Sequence, residues 1–218
     1  MLKLYHEPIS FNSRRVWIAL LEKKLEFELV ELKLNGDQFQ PDFVALNPFH
    51  HIPVLVDDGF RVIESLAILD YLEAKYPTPA MLPTEAQKLA IVRMVEMVTI
   101  NELAPATNPL FMQILGVECD ESKLETARQR LATGLSFLEN LLGNLYYYGG
   151  EQISLADIVA GSVVSVLHYF NVSLYDYPLL RAWHERLKQR PAWVETAPSA
   201  RYVAAFIARR KAHIAKSR

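Results

Sequence analysis

The spacing of apolar and polar positions changes along the chain, and the changes mark out elements. Leu2 to Tyr5 is a short run of β type. From Ser13 to Lys23, Val16, Ala19, Leu20 and Lys23 fall three and four apart, which is the repeat of one helix face. Phe27 to Leu32 is strand-like again, with Glu interleaved. Val54 to Val56 and Arg61 to Ile63 flank Asp57-Asp58-Gly59, a hairpin signal. Ser65 to Tyr76 then reads as a helix, with Leu66, Leu69, Tyr71, Leu72 and Tyr76 apolar. The order is β-α-β, a loop, a hairpin and a helix. The first crossover implies a parallel strand pair and the hairpin an antiparallel one. A mixed four-stranded sheet with helices on its faces is therefore expected.

That arrangement is the thioredoxin-like plan, and it is expected to fill residues 1–76. Pro77, Pro79 and Pro83 then stiffen a short connector, 77–84, the best domain boundary in the sequence. Everything afterwards reads as helix, so 85–218 is expected to be an all-helical bundle domain. Thr84-Glu85-Ala86-Gln87 and Ser122-Lys123-Leu124-Glu125 have the form of capping boxes. Pro178 and Pro191 suit the first turns of helices. The apolar run Ile158 to Leu167, broken by Gly and Ser, reads as a buried helix and is too short for a membrane span.

Composition narrows the class further. With 51% hydrophobic residues, 22% charged and 8 Gly in 218, the chain can bury a core and does not read as disordered. A net charge of −2 gives no electrostatic reason to expect nucleic acid. The basic tail (Arg209, Arg210, Lys211, Lys216, Arg218) is interrupted by Ala and Ile and reads as the solvated face of a last helix. A single cysteine, Cys119, excludes an internal disulfide and any CxxC pair. Met1 to Tyr5 is too short an apolar run for a signal peptide. A cytoplasmic protein without a membrane partner is the expectation.

Three local features offer chemistry. The loop after the first strand, His6 to Arg15, brings hydroxyl, amide and guanidinium groups to the start of a helix. Ser10 or Ser13 there can cap the helix or touch a ligand; Arg14 or Arg15 can add positive field, and otherwise read as surface residues of that helix. Asn47-Pro48-Phe49-His50-His51-Ile52-Pro53 leads into a strand. A proline at a strand's first residue is compatible with a cis bond, which would present the Ile52 backbone to an extended peptide. It reads equally as an ordinary loop proline. Glu64-Ser65 opens the helix after the hairpin, where free N–H groups and the helix dipole favour a carboxylate. Glu64 adds a carboxylate for an ammonium, so the pair suits an amino-acid headgroup; plain capping by Ser65 is the other reading. The adjacent histidines His50 and His51 have no Cys or carboxylate beside them to complete a ligand set, so no metal is expected.

In order and separation these segments resemble the cytosolic glutathione transferases. Asn47-Pro48 through Pro53-Val54-Leu55 is similar to that family's Asn-Pro-x-Gly-x-Val-Pro-x-Leu, and Glu64-Ser65-Leu66-Ala67-Ile68 to its Glu-Ser-x-Ala-Ile. Pro8-Ile9-Ser10 with Ser13-Arg14-Arg15-Val16 resembles the catalytic-serine loop of the theta, phi and zeta groups. Ile153-Ser154-Leu155-Ala156-Asp157-Ile158 resembles the capping motif of the family's helical domain, where Ser154 and Asp157 are structural. The resemblance covers nearly the whole chain. It implies glutathione as substrate, with Ser10 donating a hydrogen bond to its sulfur and Ile52, beside Pro53, pairing through its backbone with the cysteinyl part. Glu64 and Ser65 would hold the γ-glutamyl end, His51 would stand where a glutamine contacts the ligand in the phi-like group, and Gln38 would reach the glycyl end. It also implies a homodimer that conjugates glutathione to a small electrophile in detoxification. Two departures stand out: His50 replaces the motif's glycine, and Tyr5 rivals Ser10 as sulfur donor. An isomerase or peroxidase on the same fold, or a non-catalytic glutathione-binding module, are the alternatives. The zeta group's Ser-Ser-Cys is absent, Ser10-Phe11-Asn12 standing there instead.

Overall fold

The computed structural model describes residues 1–216. Its first elements are β1 (Leu2–His6), α1 (Phe11–Glu22), β2 (Phe27–Glu31), α2 (Pro41–Leu46), β3 (Val54–Asp57), β4 (Phe60–Ile63) and α3 (Ser65–Lys75). The four strands form one sheet in the order β2-β1-β3-β4. β1 runs parallel to β2, with Leu4 opposite Leu29. It runs antiparallel to β3, with Leu4 opposite Leu55, and β3 pairs antiparallel with β4. The mixed sheet expected from the pattern is present. The hairpin turns on Asp58 (φ 47°) and Gly59 (φ 88°), two successive left-handed residues of the kind a tight hairpin needs.

The sheet separates two apolar layers. Leu2 and Leu4 are buried, as are Val16, Ile18 and Leu20 of α1 and Ile68, Leu69 and Leu72 of α3. On a second cluster Leu32, Phe43 of α2 and Val54 form the centre, with Tyr5, Leu46, Ile52 and Ile63 packed around them. The Tyr5 ring sits 6.1 Å from that of Phe43. Lys23 is buried and ties the end of this unit together, pairing with Glu73 at 2.6 Å and donating to the carbonyls of Tyr76 and Pro79.

By internal packing the chain forms two units. One comprises Met1–Ala80 together with Pro191–Pro198, the other Met81–Arg190 with Ser199–Arg218. The return segment holds α9 (Pro191–Glu195). Arg14 of α1 reaches it: Nε donates to Thr196 Oγ1 at 3.2 Å, Nη2 donates to the Trp193 carbonyl at 3.3 Å, and the guanidinium lies 5.2 Å from the Trp193 ring centroid.

The second unit contains α4 (Ala86–Val98), α5 (Ala104–Ile114), α6 (Glu121–Leu142), α7 (Leu155–Val164), α8 (Pro178–Lys188) and α10 (Ala200–Lys216). A π-helical turn, Thr99–Leu103, joins α4 to α5. Gly134 lets α6 come close to that turn, since a Cβ there would lie 2.7 Å from Leu103 Cδ1. Every residue of α7 is buried. Its Ser154–Asp157 capping box forms as the sequence indicated. Asp157 does more than cap: Oδ1 accepts from Tyr148 N (3.0 Å) and Trp183 Nε1 (2.8 Å), and Oδ2 accepts from Ser154 N (2.8 Å) and Ser154 Oγ (2.6 Å).

The two other expected capping boxes do not form. α4 starts one residue late, with Glu85 at the N-cap and no side chain capping it; the Glu85 carboxylate instead pairs with Lys88 at 2.8 Å. α6 starts at Glu121 because Asp120 takes the N-cap and its carboxylate accepts from Ser122 N at 2.9 Å. Aspartate caps as well as serine and carries a charge suited to the helix dipole, so the earlier residue wins. Pro178 and Pro191 do open α8 and α9. On α10, Lys211 is exposed, while Arg209 rests 5.9 Å from the ring centroids of Tyr202 and Phe206. Arg218 and the side chain of Lys216, also assigned to the basic tail, lie outside the described residues. Among the described residues no helix is long and apolar enough to cross a membrane.

Candidate active site

β1 ends in the loop His6 to Ser10, which a buried carboxylate shapes. Glu7 Oε2 accepts from Ile9 N (2.7 Å) and Ser10 N (3.1 Å), and Glu7 N donates to Ser13 Oγ (3.4 Å). Ser10 then serves as N-cap of α1, its Oγ accepting from Ser13 N at 3.3 Å. That bond starts α1 at Phe11, two residues before the helical segment expected from Ser13. It uses one lone pair of the hydroxyl and leaves its hydrogen available to donate.

The second wall comes from the loop before β3. Asn47 braces it, Nδ2 donating to the His51 carbonyl (2.8 Å) and Oδ1 accepting from Phe49 N (3.0 Å). His50 has φ 59°, so it keeps the left-handed backbone that a glycine at this motif position would adopt without strain. Its ring lies 4.9 Å from that of Phe39, and Nδ1 is 3.1 Å from the Gln38 carbonyl oxygen. The histidine therefore changes the wall's chemistry and not the path of the chain. The Ile52–Pro53 bond is cis.

The third wall is the start of α3. Glu64 occupies its N-cap at φ 67°, ψ 117°, a strained backbone for any residue with a Cβ, and no side chain caps the helix. The first N–H groups of α3 and its positive dipole end are therefore available to an anion. Ser65 is buried and accepts from Arg15 Nη1 at 3.4 Å.

These walls enclose a cleft of about 300 Å³ lined by Asn12, Leu34, Asn47, His50, His51, Ile52, Pro53, Glu64 and Ser65. Five of the residues singled out from sequence thus share one cleft: His51, Ile52, Pro53, Glu64 and Ser65. Gln38 and Ser10 are not among its lining residues. The Gln38 side chain turns to Gly36, Oε1 accepting from its N–H at 3.2 Å, and its carbonyl meets His50. Ser10 stands at the mouth of α1, two residues before Asn12. Asn47 and Leu34 were not anticipated as lining residues, although the Asn-Pro dipeptide at Asn47 is a recognisable side-chain turn signal. Tyr5 is committed to the sheet, between Val30 and Val54, and packs on Phe43.

Arg14 and Arg15 correct an expectation. Both are buried, not surface residues of α1. Their partners, Thr196 and Trp193 for Arg14 and Ser65 for Arg15, lie 182, 179 and 50 residues away along the chain and could not be read from a local pattern.

His6 is buried beside the same loop, edge-on to Trp17 at 5.1 Å. Burial pushes its pKa below 6.5, with Glu31 opposing in part. The sign follows. On acidification the unfolded chain takes up this proton first, near pH 6.5, so stability is lost as the pH falls through that value towards the depressed folded one. We predict that His6→Phe lowers the acid sensitivity of Tm between about pH 7 and 5, measured by thermal unfolding; equal slopes for both proteins would refute it. Among the described residues no group of three or more His, Cys, Asp and Glu is arranged to hold a metal ion.

A four-stranded thioredoxin-like sheet followed by an all-helical domain, with a peptide-sized cleft beside a cis-proline and an uncapped helix, defines a glutathione-transferase type of fold. The family models agree: the glutathione S-transferase N-terminal domain matches residues 4–80 and the C-terminal domain matches 72–191. Maleylacetoacetate isomerase of Mus musculus is 34% identical over 81% of this chain and 83% of that protein. The zeta-class glutathione S-transferase of Euphorbia esula is 33% identical over 90% of each. The structure of a theta-class enzyme from Xanthomonas axonopodis pv. citri with glutathione bound superposes with a TM-score of 0.81, at 25% identity, covering 91% of this chain and 98% of that one. The chain belongs to the glutathione S-transferase family.

Proposed function

We propose that the cleft binds glutathione and that the chain adds its thiolate to small electrophiles, with Ser10 as the group that stabilises the charged sulfur. The observation that carries this is the convergence of Ile52, Pro53, Glu64 and Ser65 on one cleft at the uncapped N-terminus of α3. A zwitterionic headgroup has complementary partners there: helix N–H groups and the Ser65 hydroxyl for its carboxylate, Glu64 for its ammonium. The bound tripeptide runs past Ile52 and His51 towards the loop held by Gln38.

The energetics make a hydroxyl sufficient. A free thiol has a pKa near ~8.5, so only about 3% is thiolate at neutral pH. Lowering it by about two units takes roughly 2.7 kcal/mol of preferential stabilisation of the anion. One or two hydrogen bonds to the charged sulfur, at ~1.5–3 kcal/mol each, supply that. The dipole of α1, whose N-cap is Ser10, acts in the same direction.

Calorimetric titration with glutathione, followed by turnover of a model aryl halide and an isothiocyanate, tests the proposal. Binding with turnover is expected; no uptake of glutathione removes it. A second reaction is favoured by the relative named maleylacetoacetate isomerase, namely glutathione-dependent isomerisation. Ser10-Phe11-Asn12 in place of Ser-Ser-Cys weighs against it, and a panel of maleyl substrates with glutathione separates the two. We further propose a cytoplasmic homodimer acting in detoxification; light scattering is expected to give twice the 24.9 kDa of one chain, and the monomer mass would contradict it.

A further inference from the structure

Resting on the glutathione reading of the cleft, we propose that Arg15 is a positioning residue that makes Ser65 a committed donor to the ligand's α-carboxylate. Arg15 is fully buried on α1, and its Nη1 lies 3.4 Å from Ser65 Oγ, on a different helix 50 residues later. Its guanidinium also lies 5.6 Å from the Phe11 ring centroid, a contact that limits its freedom to swing away.

The chemistry of the pair is one-directional. A serine hydroxyl has one hydrogen to give and two lone pairs to accept with, whereas a guanidinium can only give. Ser65 must therefore accept from Arg15, and its own hydrogen is left for a group in the cleft that it lines. Such a hydroxyl suits an anionic acceptor and is poorly suited to an ammonium. Arg15 also sets a fixed positive charge one hydroxyl away from the bound carboxylate, at a depth where water screens little. Arg15 thus selects a ligand headgroup carrying a free α-carboxylate without touching it, a task the sequence pattern did not assign.

The test compares two tripeptides, glutathione and the analogue in which 4-aminobutyrate replaces the γ-glutamyl residue and so lacks the α-carboxylate. For Arg15→Met, KM for glutathione is expected to rise by about tenfold or more, the size of one hydrogen bond to a charged group, while kcat changes by less than about threefold. Affinity for the analogue is expected to stay within about twofold of wild type. Ser65→Ala added to Arg15→Met should cost little further, because the two residues act as one device. Arg15→Lys, which keeps the charge and most of the volume, is expected to give a smaller loss confined to glutathione and carries the test if Arg15→Met does not fold. Equal losses for both tripeptides, or a fall in kcat with KM unchanged, would assign Arg15 a merely structural role and overturn the proposal. If wild type takes up glutathione but the variants match it, this inference alone fails; if wild type takes up neither tripeptide, the glutathione reading itself falls.

Discussion

Ser10→Ala is expected to lower kcat/KM for conjugation of an aryl halide by about 10- to 100-fold, the loss of one hydrogen bond to a charged sulfur. The bound thiol's pKa should rise by about one to two units in step, since the bond favours only the anion. The thiolate absorbance of the glutathione complex would then appear at higher pH than in wild type, and the rate profile would move in the alkaline direction by the same amount. KM for glutathione should change little, because on the proposed reading the headgroup contacts fall to Glu64 and Ser65 and not to Ser10. Ser10 also caps α1, so the substitution should cost about 1 kcal/mol of stability, readable separately by thermal unfolding. Ser10→Thr keeps both cap and donor and is expected to recover part of the rate. Unchanged thiolate absorbance in Ser10→Ala would remove Ser10 from the chemistry and leave it as a cap.

The largest effect on stability is expected in the second unit, from Asp157. Four donors converge on its two oxygens: Tyr148 N and Trp183 Nε1 on one, Ser154 N and Ser154 Oγ on the other. Asp157→Ala leaves these buried donors unmatched and opens a gap beside Trp183, at an expected cost of about 3–5 kcal/mol. In a chain of this size that is a fall in Tm of roughly 10 °C, measurable by calorimetry. Asp157→Asn should be nearly as damaging. Whichever way its amide is turned, the NH2 group faces a backbone N–H that needs an acceptor. A loss below about 1 kcal/mol for Asp157→Ala would show that the network contributes little.

The contrast between these two sites explains what was legible in the sequence. The strand and helix order, the Asp58-Gly59 turn, the prolines at 178 and 191 and the Ser154–Asp157 box are local signals, and each is settled within a few residues. The box at Ser122 failed because Asp120 pre-empted the cap, whereas at Thr84 the helix simply begins one residue later, with Glu85 at an uncapped start. Local pattern does not rank such rivals. The cleft was partly readable, since Ile52, Pro53, Glu64 and Ser65 announce themselves at segment starts. Leu34 and Asn47 were not read as wall residues, because only the folded sheet brings their loops together. Arg14 and Arg15 were least legible of all. A guanidinium on an amphipathic helix looks solvated until its partner is known, and those partners come from Ser65 and from residues 193–196.

The return of residues 191–198 to the sheet domain has a consequence for dissection of the molecule. A protease nick in the connector at 77–83 would not release a self-sufficient N-terminal fragment, because one wall of that fragment is encoded more than a hundred residues downstream. Residues 1–80 expressed alone would bare the Arg14 guanidinium, which Thr196 and Trp193 engage, so the sheet domain is finished only after most of the chain has been synthesised.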